Sequence, residues 1–119
     1  MKFLIVEDNA EMRRLIAKIL RKSCDAIFEC EDGAQALSAY REHLPDWVLM
    51  DIQMRELDGI SATRQIINEF PEAKIVIVTD FNNANLREKA KMAGACEYID
   101  KENLVDLRRL LTHWQKQKV

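Results

Sequence analysis

Short apolar segments alternate with longer segments of helical periodicity along the 119-residue chain. In the longer segments, hydrophobic residues recur at spacings of three and four, which is typical of helices that bury one face. Regular alternation of strand-length and helix-length segments predicts parallel strands joined by helices. The predicted strands cover residues 3–6, 26–30, 47–50, 75–78 and 96–99, and the helical patterns cover 12–20, 36–44, 60–70, 86–93 and 104–114.

Polar residues at the ends of these patterns predict where the helices begin and end. Asp32 and Asn103 stand just ahead of the second and fifth helical patterns and are predicted to be N-caps. Gly94 directly follows the fourth pattern, where a glycine commonly ends a helix. These signals support the same division of the chain into strands and helices.

The strands differ in a way that predicts their places in the sheet. The first, third and fourth segments are continuously apolar, as expected of strands covered on both faces. The second and fifth carry Glu29 and Glu97, which suit the edges. This agrees with an α/β fold with a doubly wound, five-stranded parallel sheet in the order 2-1-3-4-5, which we take from flavodoxin-like proteins. Ligands of such sheets bind beyond the carboxyl ends of the strands.

Residues whose side chains can react or bind a metal ion follow those carboxyl ends. Glu7 and Asp8 follow the first strand, Asp51 the third and Thr79 the fourth, while Lys101 comes shortly after the fifth. Carboxylates side by side repel one another unless a cation joins them, and oxygen ligands favour Mg²⁺. The alternative for Glu7 and Asp8 is that they only cap the next helix. Together, the five residues predict an acceptor site for a phosphoryl group, with a carboxylate as the nucleophile.

Four segments make the whole chain resemble the receiver domains of two-component response regulators. They are FLIVEDN near the start, VLMDIQM followed by the dipeptide DG, IVIVTD, and YIDK. Each segment is weak evidence alone, but their order and spacing are highly specific. The resemblance implies that Asp51 is the phosphoacceptor and that Asp8 and Asp51 bind Mg²⁺ directly. It further implies that Glu7 acts through water and that the backbone carbonyl of Gln53 is another metal ligand.

The resemblance also implies how the signal is read. Thr79 would be the switch hydroxyl, Lys101 the lysine of the site and Tyr98 the switch aromatic, while Gln53 and Phe81 occupy positions that tune dephosphorylation. A histidine kinase or phosphotransfer protein would supply the phosphoryl group. The output would pass to a separate protein or a homodimer through the face formed by the fourth helix, fifth strand and fifth helix. The domain would be a switch that catalyses its own phosphorylation and dephosphorylation, rather than an enzyme with a separate substrate.

Three positions depart from the usual pattern of these receivers. Arg55 and Glu102 stand where a proline is common, so the loop after Asp51 is expected to be softer and the Lys101–Glu102 peptide bond trans. Asp80 follows Thr79 where a small residue is usual. We hypothesise that its bulk and charge slow phosphorylation by small donors; the alternative is that its side chain only points into solvent.

Composition restricts the class of partner and the compartment. The chain carries 18 basic and 20 acidic residues, so its net charge of −2 gives no general attraction to nucleic acid or to a membrane. Cys24, Cys30 and Cys96 form no metal-binding spacing and are predicted to be reduced, as in a cytoplasmic protein. The apolar segment 3–6 is too short for a signal peptide or a membrane span. We predict one receiver domain over residues 1–119, with no output domain.

Three alternatives remain open at the level of sequence. The first is a degenerate receiver that acts as a phosphorylation-independent interaction module, which Asp80 and the missing proline favour slightly. The second is a hydrolase with an aspartyl-phosphate intermediate, but Gln53 stands where such enzymes need a second carboxylate. The third is a flavin-binding protein of the same fold, in which Glu7 and Asp8 would repel the flavin phosphate.

Overall fold

The computed structural model describes residues 1–52, 58–80 and 83–117 of the chain, in which five parallel strands form one sheet with helices on both faces. The strand order is β2-β1-β3-β4-β5, as predicted. The strands are β1 (Lys2–Val6), β2 (Ala26–Cys30), β3 (Trp47–Met50), β4 (Ile75–Thr79) and β5 (Glu97–Asp100). The helices are α1 (Ala10–Leu20), α2 (Gly33–His43), α3 (Gly59–Glu69), α4 (Ala84–Ala93) and α5 (Val105–Gln117).

The sheet divides the hydrophobic core into two layers because successive strand residues point to opposite faces. In β1, Phe3 and Ile5 join the layer that α1 and α5 cover, whereas Leu4 and Val6 join the layer beneath α2, α3 and α4. The residues of β3 and β4 alternate in the same way and are buried throughout. Glu29 and Glu97 are exposed on the edge strands, which confirms the sequence interpretation.

Most predicted helix ends agree with the structure. The Asp32 side chain accepts a hydrogen bond from the backbone N–H of Gln35 and so caps α2, and Gly94 ends α4. The prediction for Asn103 is wrong, because this residue lies inside a short 3-10 helix, Lys101–Asn103, that precedes α5. Asp100 caps that turn by accepting from the Glu102 N–H at 2.9 Å, so the chain bends directly after β5.

Two leucines of the predicted apolar stripes face solvent. Leu44 is 58% exposed because it ends α2 with a left-handed backbone (φ 45°), which takes it out of the helical periodicity. Leu15, at the margin of the α1 stripe, is 45% exposed, whereas Ile16 and Leu20 are buried. No helix in the described ranges combines the length and the apolar character that crossing a bilayer requires.

Replacing Gly94 with alanine should destabilise the fold without touching the carboxyl ends of the strands. Gly94 has φ +109°, and a Cβ there would lie 2.8 Å from Cγ1 of Ile67. We expect Gly94→Ala to lower the free energy of unfolding by about 1–3 kcal/mol, measured by urea denaturation. The exposed Lys91→Ala in the same helix is the control, and equal stabilities of the two variants would contradict the prediction.

Candidate functional site

The order of the strands brings three carboxylate residues together at the carboxyl edge of the sheet. Val6 of β1 pairs with Met50 of β3, so the residues that follow them, Glu7 and Asp51, are neighbours. The Asp51 N–H donates to the Val6 carbonyl at 3.0 Å and extends the ladder by one residue. One carboxylate oxygen each of Glu7, Asp8 and Asp51 lies within 4.8 Å of the other two.

Two of these carboxylates are buried and share a lysine. Glu7 is 1% exposed and Asp51 is 6% exposed, whereas Asp8 is exposed. Lys101, directly after β5, places its Nζ 2.5 Å from Glu7 Oε1 and 3.5 Å from Asp51 Oδ1. Buried charges are costly unless an opposite charge accompanies them, so the ammonium group offsets part of the cost of burying these two acids.

The electrostatics distinguish the two buried acids. Burial raises the pKa of Asp51 to about 7, and the hydrogen bond and negative charge of Glu7 add to the effect. Burial also acts to raise the pKa of Glu7, but its hydrogen bonds with Asp51, Lys101 and the Asn9 N–H, together with the positive charge of Lys101, lower it overall. For Lys101, burial opposes the charged form, yet the hydrogen bond to Glu7 and the surrounding carboxylates raise the pKa overall.

The cluster fits a hard divalent cation such as Mg²⁺. Its donors are oxygens only, and three carboxylates face one ammonium group, which leaves an excess of negative charge. Because Glu7 Oε1 already contacts Lys101, Asp8 and Asp51 are the residues better placed to bind the cation directly. Gln53, whose backbone carbonyl is the other predicted ligand, lies outside the described residues, as does Phe81.

The other predicted residues lie on neighbouring elements. Thr79 is fully buried at the end of β4, the strand next to β3, and pairs with Asp100 of β5. Tyr98 is half-buried on β5, and the Arg87 guanidinium lies over its ring at 4.8 Å from the centroid. The Lys101–Glu102 peptide bond is trans, as expected without a proline. Lys101 nevertheless reaches the carboxylates.

Asp80 is exposed, and its charge still acts on the site. The residue directly follows Thr79, and its negative charge is among those that raise the pKa of Lys101. Exposure agrees with the interpretation that Asp80 faces solvent. Its influence on Lys101 supports the other interpretation, that Asp80 adds negative charge near the acceptor.

Gly59 has a structural role that sequence reasoning missed. The DG dipeptide was noted only as part of a motif, but a Cβ on Gly59 would lie 1.9 Å from the backbone carbonyl oxygen of Asp51. The Gly59 N–H donates to the Ile52 carbonyl at 2.9 Å, and Asp58 caps α3. Helix α3 therefore begins directly against the backbone of Asp51, and only a residue without a side chain fits there.

Gly59→Ala should displace Asp51 and weaken cation binding. We expect a loss of about 1–3 kcal/mol in unfolding free energy and a Mg²⁺ affinity that is lower by about tenfold, measured by calorimetric titration. Gly94→Ala is the matched control, because it destabilises the fold at the opposite end of the strands. A Mg²⁺ affinity that falls equally in both variants would contradict the specific effect of Gly59.

Comparisons with known proteins agree with this geometry. The family model described as the response regulator receiver domain matches residues 3–115. The chain is 41% identical to the chemotaxis protein CheY of Bacillus subtilis over 101 residues, which are 84% of each chain. The BeF3-activated N-terminal receiver domain of Klebsiella pneumoniae RstA is 29% identical, with a TM-score of 0.81 over 93% of this chain and 98% of that one. The structure of the CheX-CheY-BeF3-Mg+2 complex from Borrelia burgdorferi shows the same fold, at 23% identity and a TM-score of 0.85 over 96% and 89% of the two chains.

Proposed function

The chain belongs to the response regulator receiver family, and from this membership we propose that it is a phosphorylation switch whose phosphoacceptor is Asp51. The observation that carries the proposal is the position of Asp51 at the carboxyl end of β3, beside Glu7, Asp8 and Lys101. The phosphoryl donor is a histidine kinase or a phosphotransfer protein of a two-component system. The domain works in the cytoplasm as a switch, and not as an enzyme with a separate substrate.

The proposed transfer uses Asp51 as the nucleophile. An Asp51 carboxylate oxygen attacks the phosphorus of a phosphohistidine, the P–N bond breaks, and the departing imidazole nitrogen takes up a proton. Asp8 and Asp51, with the Gln53 carbonyl that the family resemblance implies, would hold Mg²⁺, which would supply positive charge to offset that of the phosphoryl group. Hydrolysis of the aspartyl phosphate by water returns the carboxylate and releases inorganic phosphate.

Lys101 and Thr79 complete the proposed chemistry. Lys101 contacts Glu7 before transfer, and its Nζ already lies 3.5 Å from Asp51, so it can donate to a phosphoryl oxygen with little movement. Thr79 ends the neighbouring strand, and its hydroxyl would bind another oxygen of the product. A conformation in which these contacts to the phosphoryl group are better would be favoured after phosphorylation, so phosphorylation would shift the population toward that conformation.

The output surface in this proposal is the face of α4, β5 and α5. Tyr98 lies between two grooves there, one of about 500 Å³ toward α4 and one of about 380 Å³ toward α5, and Arg87 lines both. Movement of Tyr98 toward Thr79 would change both grooves. An acidic partner protein, or a homodimer with acidic counterparts, would fit the exposed basic side chains of this face, which are Arg87, Lys89, Lys91, Arg108 and Arg109. The alternative is that these charges, which alternate with the exposed Glu88 and Glu97, are only solvated.

Phosphorylation of Asp51 can be tested directly with small donors. We expect acetyl phosphate and Mg²⁺ to give a hydroxylamine-labile adduct that mass spectrometry detects, and beryllofluoride to perturb the NMR signals around the carboxylate cluster. Asp51→Asn should abolish both responses, because it removes the nucleophile. Glu72→Gln, which neutralises an exposed carboxylate outside the cluster, should leave them unchanged.

Two outcomes would contradict this proposal. An adduct that persists in Asp51→Asn would place the modification elsewhere. A wild-type protein that responds to neither donor nor analogue would favour the alternative of a phosphorylation-independent interaction module.

Removal of the Asp80 charge should speed phosphorylation by small anionic donors. We expect Asp80→Ala to react with acetyl phosphate about fivefold faster, equivalent to roughly 1 kcal/mol of charge repulsion. Asp80→Asn removes the charge but keeps the bulk and so separates the two effects. Initial rates of adduct formation at fixed Mg²⁺ are the measurement, and equal rates in all three proteins would contradict the prediction.

A further inference from the structure

Arg13 lies in the first turns of α1, but its side chain reaches back to the end of β1. Its guanidinium Nη1 donates to the backbone carbonyl of Glu7 at 2.7 Å and to that of Asp8 at 3.3 Å. Only 15% of the side chain is exposed. One guanidinium group therefore joins the backbones of two residues of the carboxylate cluster to the helix that follows them.

Acidic residues at the other side hold the guanidinium in place. Arg13 Nε lies 3.5 Å from Glu29 Oε1 at the edge strand β2, and Nη2 lies 4.0 Å from Glu31 Oε1 just beyond it. The planar group can satisfy carbonyls on one side and carboxylates on the other, which a lysine cannot do equally well. These acids also offset the Arg13 charge, which would otherwise oppose a cation nearby.

Asp8 depends on its backbone for its orientation. Its carboxylate is exposed, and within the described part of the chain its side chain makes no hydrogen bond or ion pair. Glu7, by contrast, is buried and contacts Lys101 through its side chain. The direction of the Asp8 carboxylate is therefore set by the turn between β1 and α1, and Arg13 holds two carbonyls of that turn.

We propose that Arg13 is a positioning residue that holds the β1–α1 turn so that the Asp8 carboxylate faces the cation. This inference rests on the proposed function, because it concerns the same metal site. It predicts a change in Mg²⁺ affinity opposite in sign to the change that the Arg13 charge alone would cause. Removing a nearby positive charge should strengthen Mg²⁺ binding, whereas loss of a positioning contact should weaken it.

The test measures Mg²⁺ affinity by calorimetric titration of the full chain and its variants. We expect Arg13→Ala to bind Mg²⁺ about tenfold more weakly, the usual effect of losing a residue that orients a ligand. Arg13→Lys, which keeps the charge and one donor group, should recover part of the affinity. Arg14→Ala is the matched control, since Arg14 is its exposed neighbour on α1 and carries the same charge.

A second measurement needs no metal and separates positioning from general loss of structure. Amide hydrogen exchange at Asn9 and Met12, the two N–H groups that donate to side chains in this turn, should speed up in Arg13→Ala but not in Arg14→Ala. Exchange in β3 and β4 should stay slow, which would show that the fold is intact.

The outcomes distinguish this inference from the proposed function. If Arg13→Ala binds Mg²⁺ as tightly as Arg14→Ala, or more tightly, the inference on Arg13 is overturned and the proposed function stands. If wild-type protein binds Mg²⁺ but forms no adduct, the proposed phosphoacceptor role fails, and the affinities still decide the role of Arg13. A wild-type protein that binds no Mg²⁺ would overturn both.

Discussion

The ion cluster of Glu7, Asp51 and Lys101 is the interaction on which the rest of the site depends. Two carboxylates lie at the carboxyl edge of the sheet with almost no exposure, and one ammonium group contacts both. Such a cluster does not stabilise the fold in the way that an apolar group of the same volume would. The stability of the fold must therefore come from the hydrophobic layers on both faces of the sheet. The cluster leaves an excess of negative charge at this edge of the sheet, which a divalent cation would neutralise.

Much of the fold follows from the sequence because hydrophobic pattern and strand burial are local signals. The continuous apolar segments of β1, β3 and β4 indicated central strands, and Glu29 and Glu97 indicated edges. The strand order needed knowledge of related folds, since pattern alone does not specify which parallel strands are neighbours. The N-cap at Asn103 was predicted wrongly because Asp100, three residues earlier, starts a competing turn that the helical pattern does not reveal.

The residues of the site could be predicted from the sequence, but the contacts between their side chains could not. Spacing identified Asp51, Thr79 and Lys101, because strand ends converge at one edge. That Lys101 contacts Glu7 more closely than Asp51 depends on side-chain packing across three elements. The close approach of Gly59 to the Asp51 backbone also depends on packing between elements and could not be predicted, although the DG dipeptide marks its position. No sequence motif marks Arg13, because an arginine in the first turn of a helix is common.

The two grooves beside Tyr98 are lined in part by the same side chains. Arg87, Glu97 and Tyr98 line both, and the Arg87 guanidinium lies over the Tyr98 ring. A molecule that fills one groove must therefore accept, or alter, the arrangement that forms the wall of the other. If each groove held a molecule, the two binding equilibria would be linked, and each occupant would change the affinity for the other by the same factor.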